Sequence, residues 1–259
     1  MFFIFIFLFL IVGRLNSSVL GYEILNPDEV QMMANAIGIV SRDFNLNFFD
    51  GNSSGIINSL VLAWPALVGI DITFLSTRLT AIFILSLIIF FTYKIIKKNL
   101  NFYYSLILTL PIIFLFSFSR DPDFIHYSSE LVSTLILVFS YWLFTNNKNN
   151  SEKIYYMISV LLSLIFFSKI QFGPASLIFF MVLLTNLYIQ KVPKKKIFIT
   201  ILFFSIFPLM FLSSHYFSNT LQDFIINYIH YPTDYLTIMK NPLPEIDLTK
   251  PELIKENNF

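Results

Sequence analysis

Residues 74–93 read FLSTRLTAIFILSLIIFFTY, with Arg78 the single charged side chain in the run. About 20 mainly apolar residues, rising about 1.5 Å each, carry a helix across the roughly 30 Å hydrocarbon layer of a bilayer. A helix suits that solvent because it satisfies its own backbone amides. Six further stretches approach the same pattern: Phe2 to Val12, Phe102 to Phe118, Ser128 to Phe144, Ile154 to Phe167, Phe172 to Ile189 and Ile197 to Leu212. The first is short and ends at Gly13-Arg14. A basic start and a small-residue cleavage site, the marks of a signal peptide, are not evident there, so it reads as a short anchor. The expected fold is an all-α integral membrane protein of about seven transmembrane helices. Residues 1–212 form the membrane module, which includes an outer loop over 13–72, and residues 213–259 form an outer C-terminal segment.

Composition agrees with this. The 259 residues are 56% hydrophobic and 13% charged, whereas a soluble domain carries about a quarter charged residues. A formal net charge of +1 gives no basic surface for nucleic acid. The chain has no cysteine, which excludes disulfides, thiolate metal sites and cysteine nucleophiles.

Basic residues left in the connections orient the spans, because cytoplasmic loops are enriched in Lys and Arg. Lys94, Lys97 and Lys98 follow the second span, Lys148 and Lys153 the fourth, and Lys191, Lys194, Lys195 and Lys196 the sixth. The other connections hold only Arg14, Arg42, Arg120 and Lys169. The N-terminus is therefore expected in the cytoplasm and the C-terminal segment outside, in a plasma or inner membrane. Acidic residues show the opposite bias: only Glu152 falls in an inner connection, and His126, His215 and His230 are all outer. Chemistry belongs on the outer face.

The long first loop contains Asn26-Pro27-Asp28-Glu29, a helix start with Asn26 as N-cap, Pro27 at the first helical position and Glu29 placed for a capping box. Val30, Met33, Ala34, Ile37 and either Gly38 or Val40 then share one side, as in a helix lying on the membrane surface. Ile56 to Val68, with Trp64-Pro65, forms a second such helix.

Asp28 and Glu29 offer a carboxylate base and a second cation ligand, although acids in a first turn also stabilise the helix dipole without further duty. Arg120-Asp121-Pro122-Asp123, followed by His126, places a forked cation that can bind phosphate beside two carboxylates that can share a cation; the alternative is a solvated Pro-containing turn. Arg78 and Glu130 are ionisable groups in or at the mouth of spans, where they face a polar cavity or form a salt bridge. Lys169 reaches either lipid headgroups or a substrate phosphate. The nucleotide-binding P-loop, the dinucleotide glycine fingerprint, the zinc-protease helix motif and the nucleophile elbow are all absent.

A short span, Asn26-Pro27-Asp28-Glu29, Trp64-Pro65, Gly69, Ser76-Thr77-Arg78-Leu79 and the later Ser168-Lys169 with Gly173-Pro174 together resemble membrane glycosyltransferases of the GT-C superfamily. The resemblance is strongest to the protein O-mannosyltransferase and aminoarabinose-transferase branch. It implies a polyprenyl-phosphate sugar donor held among membrane lipids and transfer to a glycan, lipid or protein acceptor at the outer or luminal face. On the same grounds Asp28 is the catalytic base and Glu29 its neighbour in a metal or acceptor site, while Arg120 and Lys169 hold the lipid phosphate. Arg78, Glu130 and His126 are further substrate-binding candidates from their place on the outer side, not from the resemblance. A cation held by Asp28, Asp121 and Asp123 would be Mg2+, Mn2+ or Ca2+, since oxygen donors disfavour zinc. Family members continue with further spans, so residues 213–259 read as a truncated outer loop. Two rival readings are a transporter or flippase component, with Arg78, Glu130 and Lys169 lining a path, and a non-catalytic partner that kept the module.

Overall fold

The computed structural model describes residues 2–15, 26–41, 55–119, 126–147 and 149–226. All regular elements among them are helical. In chain order they are α1 (Phe2–Leu15), α2 (Pro27–Ser41), α3 (Ile56–Leu67), α4 (Phe74–Asn99), α5 (Phe102–Phe118), α6 (Glu130–Asn146), α7 (Glu152–Leu164), α8 (Gly173–Ile189), α9 (Lys194–Phe217) and the single turn α10 (Leu221–Phe224). Two 3-10 turns, Ile165–Phe167 and Ile170–Phe172, join α7 to α8.

Among the described residues three helical stretches are long and apolar enough to cross a membrane: Phe74–Asn99, Ile170–Ile189 and Lys194–Phe217. The other expected spans are shorter. α1 has 14 residues, α5 and α6 have 17 each, and α7 has 13 before it tightens into the first 3-10 turn.

Local sequence explains the helix ends. Thr73 caps α4 through a reciprocal pair of bonds with Ser76, and Asn101 accepts the Tyr104 N–H at the start of α5, each satisfying an orphan first-turn amide. Pro193 stands just before α9 and Pro174 in the first turn of α8, where a missing N–H has no cost.

The bundle is a chain of neighbours. α1 lies against α4 and α5, α4 against α6, α6 against α7, and α7 against α8 and α9; α2 and α3 pair with each other and join the bundle through α4. Edge-on phenylalanines join α1 to its partners, Phe3 and Phe7 on Phe83 and Phe9 on Phe114. Phe180 and Phe204 stack at 3.9 Å between α8 and α9. Buried hydroxyls are accommodated because Ser86, Thr109, Ser117 and Ser159 donate to carbonyls one turn back in their own helices.

The surface helices depart from the expected stripe. α2 buries Glu29, Met32, Met33 and Ala36, so of the expected face only Met33 points inward. Val30, Ile37 and Val40 are exposed on the opposite side. Tertiary contact selected the face carrying the one acid that finds a partner inside, and the apolar stripe is left outward.

The lysine-rich connections gather at one end of the bundle. There Lys98 donates to the Thr145 carbonyl, Lys196 pairs with Glu152, and the Tyr155 hydroxyl meets Asn150 and Gln190. The other end carries the polar residues of the candidate site.

α1 approaches α5 closely at Gly13, where an added Cβ would fall 2.7 Å from Ser117 Cβ and 2.8 Å from its carbonyl oxygen. Gly38, in α2, has nothing within 4 Å of that position. Gly13→Ala is therefore expected to destabilise the detergent-solubilised protein by about 1–3 kcal/mol through overpacking, while Gly38→Ala is neutral or stabilising. Thermal unfolding of the two variants side by side checks this; equal behaviour would mean that α1 is not seated on α5 as described.

Candidate functional site

The site is built around a carboxylate that has left water entirely. Asn26 accepts the Asp28 N–H at 2.9 Å, fulfilling its expected N-cap role, and fixes the first turn of α2 so that consecutive acids diverge. Asp28 is exposed and Glu29 is 0% exposed.

Glu29 does not close a capping box; both of its carboxylate oxygens are committed elsewhere. Oε2 accepts from Arg78 Nη2 at 3.2 Å, and Oε1 accepts the Tyr127 N–H at 3.2 Å. His126 Nε2 stands 4.0 Å from Oε2. Arg78 is itself buried at 2% exposure, with the Phe74 ring 5.5 Å from its guanidinium carbon. One carboxylate thus ties the surface helix α2 to α4 and to the segment leading into α6.

A second knot adjoins it. The Asn58 side-chain amide of α3 donates to the Ser129 carbonyl at 3.2 Å and the Ser168 carbonyl at 2.7 Å. The Gly55 N–H also donates to the Ser168 carbonyl, and the Tyr127 hydroxyl lies 3.4 Å from both oxygens of Asn58. Burial pushes the Tyr127 phenol far above its ordinary range, so it stays neutral and serves as a hydrogen-bonding post. Lys169 donates to Ser129 Oγ at 2.8 Å and pairs with Glu130, whose carboxylate also accepts from Ser128.

Between α1, α4, α5 and α6 lies a cavity of about 720 Å3. Its polar mouth is lined by Arg14, Asn26, Asp28, His126, Ser129 and Glu130; its depth is lined by Leu85, Ile88, Ile89, Ile112 and Val138. Thr92 and Thr109 line the depth as well, but their hydroxyls are spent on Ile88 and Ser105 of their own helices. Along α4 the lining runs from Ala81 to Thr92, roughly 16 Å of helix at the α-helical rise.

The sequence-derived residues thus separate. Asp28, His126 and Glu130 reach the cavity, whereas Glu29 and Arg78 form the buried pair behind it and Lys169 is held by Ser129 and Glu130. The salt-bridge alternative for Arg78 and Glu130 is met, with Glu29 and Lys169 as the respective partners. Arg120, Asp121 and Asp123 lie outside the described residues. Among the described residues no three of His, Asp and Glu converge as a metal-binding group.

Three further contributors carry no local signature of their role: Arg14, which in sequence is only a basic residue in a connection, and Asn58 and Tyr127, which no motif singles out. The available signals were an arginine directly after an apolar run and a lone asparagine within Ile56–Leu67. Compared with protein-family models, curated proteins and solved structures, the chain matches none.

Removing one partner of a buried pair strands the other charge, which costs about 3–5 kcal/mol. Glu29→Ala and Arg78→Ala are each expected to lose stability on that scale, and the double variant less than the sum. Thermal unfolding in detergent measures all three; single variants as stable as the parent would contradict the pairing.

Proposed function

We propose that this chain transfers a sugar from a polyprenyl-phosphate donor to an acceptor at the outer or luminal face of a membrane. The observation that carries the reading is the cavity with two chemistries. Its mouth presents an exposed carboxylate, Asp28, beside other polar groups, and its depth is an apolar slot between helices. A lipid-linked sugar has the same division, with a polar head at the interface and a hydrocarbon chain that stays in the bilayer.

In this reading α1 and α4 through α9 are the seven spans, and α2 and α3 rest on the outer surface. At 17 residues, α5 and α6 are about 26 Å long, a shortfall that a membrane accommodates by local thinning and by snorkelling of flanking residues. The end with Lys98 and Lys196 faces the cytoplasm, by the bias of basic residues to that side, and the Glu29 end faces outward.

Asp28 then takes the proton from the acceptor hydroxyl or amine as that atom attacks the anomeric carbon. The new bond forms at carbon, the bond to the phosphate oxygen breaks, and its electron pair leaves with the phosphate. Glu29 and Arg78 act by position, holding α2 so that Asp28 stays at the mouth. Glu130 and Lys169 hold the α6 and α8 ends together around it. Asp28 is the one described member of the proposed cation site, so a divalent ion is assigned no step. The acceptor is a glycan, a lipid or a protein approaching from water.

Because the chain has no cysteine, orientation is open to single-cysteine labelling. Ser218→Cys should react with a membrane-impermeant maleimide in intact cells and Lys195→Cys only after permeabilisation; the reverse pattern would invert the proposed topology.

The chemistry is tested by supplying membranes with radiolabelled polyprenyl-phosphate sugars and cell extract as acceptor. Loss of a general base costs on the order of a hundredfold or more, so Asp28→Asn should lose transfer by that factor at matched expression. Equal transfer by both proteins would remove Asp28 from the chemistry. Movement of the donor lipid across the membrane with no transfer by either would instead favour the flippase reading.

A further inference from the structure

The end of the bundle opposite the cavity mouth is strongly positive. The connections that gather there carry nine lysines and one acid, Glu152, and Lys196 already pairs with that acid. The same ion pair ties the start of α9 to the start of α7, and the Tyr155 hydroxyl of α7 meets Gln190 at the end of α8. Lys153, Lys191, Lys194 and Lys195 therefore stand on adjoining helix ends, and all four are exposed. Among the described residues none of the four has an acidic partner.

Two features make this crowding costly. Lys194, Lys195 and Lys196 open α9 with no acid in its first turn, where the helix dipole disfavours positive charge. Lys191 has a φ of +54°, a left-handed conformation that suits glycine and strains a lysine. Glycine would relax the backbone there, so the lysine adds strain as well as charge. An anion meeting these side chains offsets the repulsion.

The apolar surface beside the lysines shows what the anion belongs to. A groove of about 540 Å3 runs along α8 from Leu177 to Ile189, with Phe144 of α6 as its other wall. That is roughly 18 Å of helix, a little over half of a hydrocarbon layer roughly 30 Å thick, and so the depth of one leaflet. The Thr185 hydroxyl in its lining is spent on the Met181 carbonyl. Asn186, which accepts from Gln190, stands near the lysine end. The groove ends at Ile189, two residues before Lys191, and the Val192 N–H returns to the Leu187 carbonyl at 3.1 Å, which keeps Lys191 at that end.

We propose that an anionic phospholipid of the adjoining leaflet binds here, its phosphate among Lys191, Lys194 and Lys195 and one acyl chain along the α8 groove. The inference goes beyond the sugar-transfer reading: it needs the helices in a bilayer and none of the chemistry at the opposite end. Charge complementarity selects the occupant. A zwitterionic lipid fills the groove but brings no net charge to the lysines, and a free phosphate meets the lysines but not the groove.

The test reads lipid retention with no sugar donor present. The purified full-length chain in neutral detergent is titrated with phosphatidylglycerol, with phosphatidylcholine of the same acyl chains and with glycerol 3-phosphate, and bound lipid is counted by native mass spectrometry. At low salt the wild type should hold phosphatidylglycerol about tenfold or more tightly than phosphatidylcholine, since each lysine near an anionic surface contributes about fivefold, and the preference should shrink as salt rises. Replacing Lys191→Gln, Lys194→Gln and Lys195→Gln together should abolish the preference and leave phosphatidylcholine binding unchanged. Lys191→Gly separates recognition from backbone conformation: it should unfold at an equal or higher temperature without lipid, yet bind phosphatidylglycerol about fivefold more weakly. Val182→Trp, which fills the groove, should weaken retention of both lipids.

Equal retention of the two lipids by the wild type overturns the proposal, as does a preference that survives in the triple variant or is undiminished in Lys191→Gly. Displacement of phosphatidylglycerol by an equal concentration of glycerol 3-phosphate overturns the lipid as the source of the anion. Full retention of both lipids by Val182→Trp overturns the groove as the place of the chain. Asp28-dependent transfer enters none of these readouts, so this inference and the transferase reading fail separately.

Discussion

The architecture depends on one carboxylate withdrawn from water. Glu29 is fully buried, and an ionised group in that position is tolerable only if its charge is met by an opposite charge and its oxygens by donors. Arg78 supplies the first, and the Tyr127 amide adds a second donor. The three groups come from a surface helix, a long apolar helix and the loop before α6. Satisfying one acid therefore fixes how three separate parts of the chain meet. Asp28, one residue earlier, inherits its location from that arrangement, because a first turn anchored at Glu29 and capped by Asn26 leaves the preceding acid at the cavity mouth.

The rest of the polar end follows the same rule of pairing. Asn58 joins α3 to both the α6 entry and the turn after α7, and Lys169 and Glu130 neutralise each other across the same gap. Within the helices, small hydroxyl residues fold back on their own carbonyls, which lets neighbours approach closely. The Gly13 to Ser117 contact is one such case. The cavity lies where that economy changes: polar side chains at one end, and below them aliphatic walls that leave space between α4, α5 and α6.

Much of the helical layout was legible in the sequence because hydropathy and capping are local. The start of α4 at Phe74 and the whole of α5 match the expected bounds, and Asn26 caps α2 as its residue type implies. The packed face of α2 was not legible. Periodicity located an apolar stripe, but the bundle takes the face bearing Glu29, a choice made by Arg78 forty-nine residues away. The site divided in the same manner. Adjacent acids were visible as a pair, and only the fold separates a buried anchor from an exposed carboxylate. The roles of Arg14, Asn58 and Tyr127 depend on partners from distant helices, which no local spacing encodes.

The central claim is that the cavity between α1, α4, α5 and α6 receives an amphipathic lipid with its head beside Asp28. The most direct measurement is photocrosslinking of the purified chain with a prenyl-phosphate sugar carrying a photoreactive group in its hydrocarbon chain, with the labelled peptides located by mass spectrometry. The account predicts labels on α4, α5 and α6 at cavity-lining positions such as Leu85, Ile89 and Ile112, competed by unlabelled donor. Labels confined to the outward faces of α8 and α9, at residues such as Ile178, Met181 and Leu209, and insensitive to competitor, would contradict it.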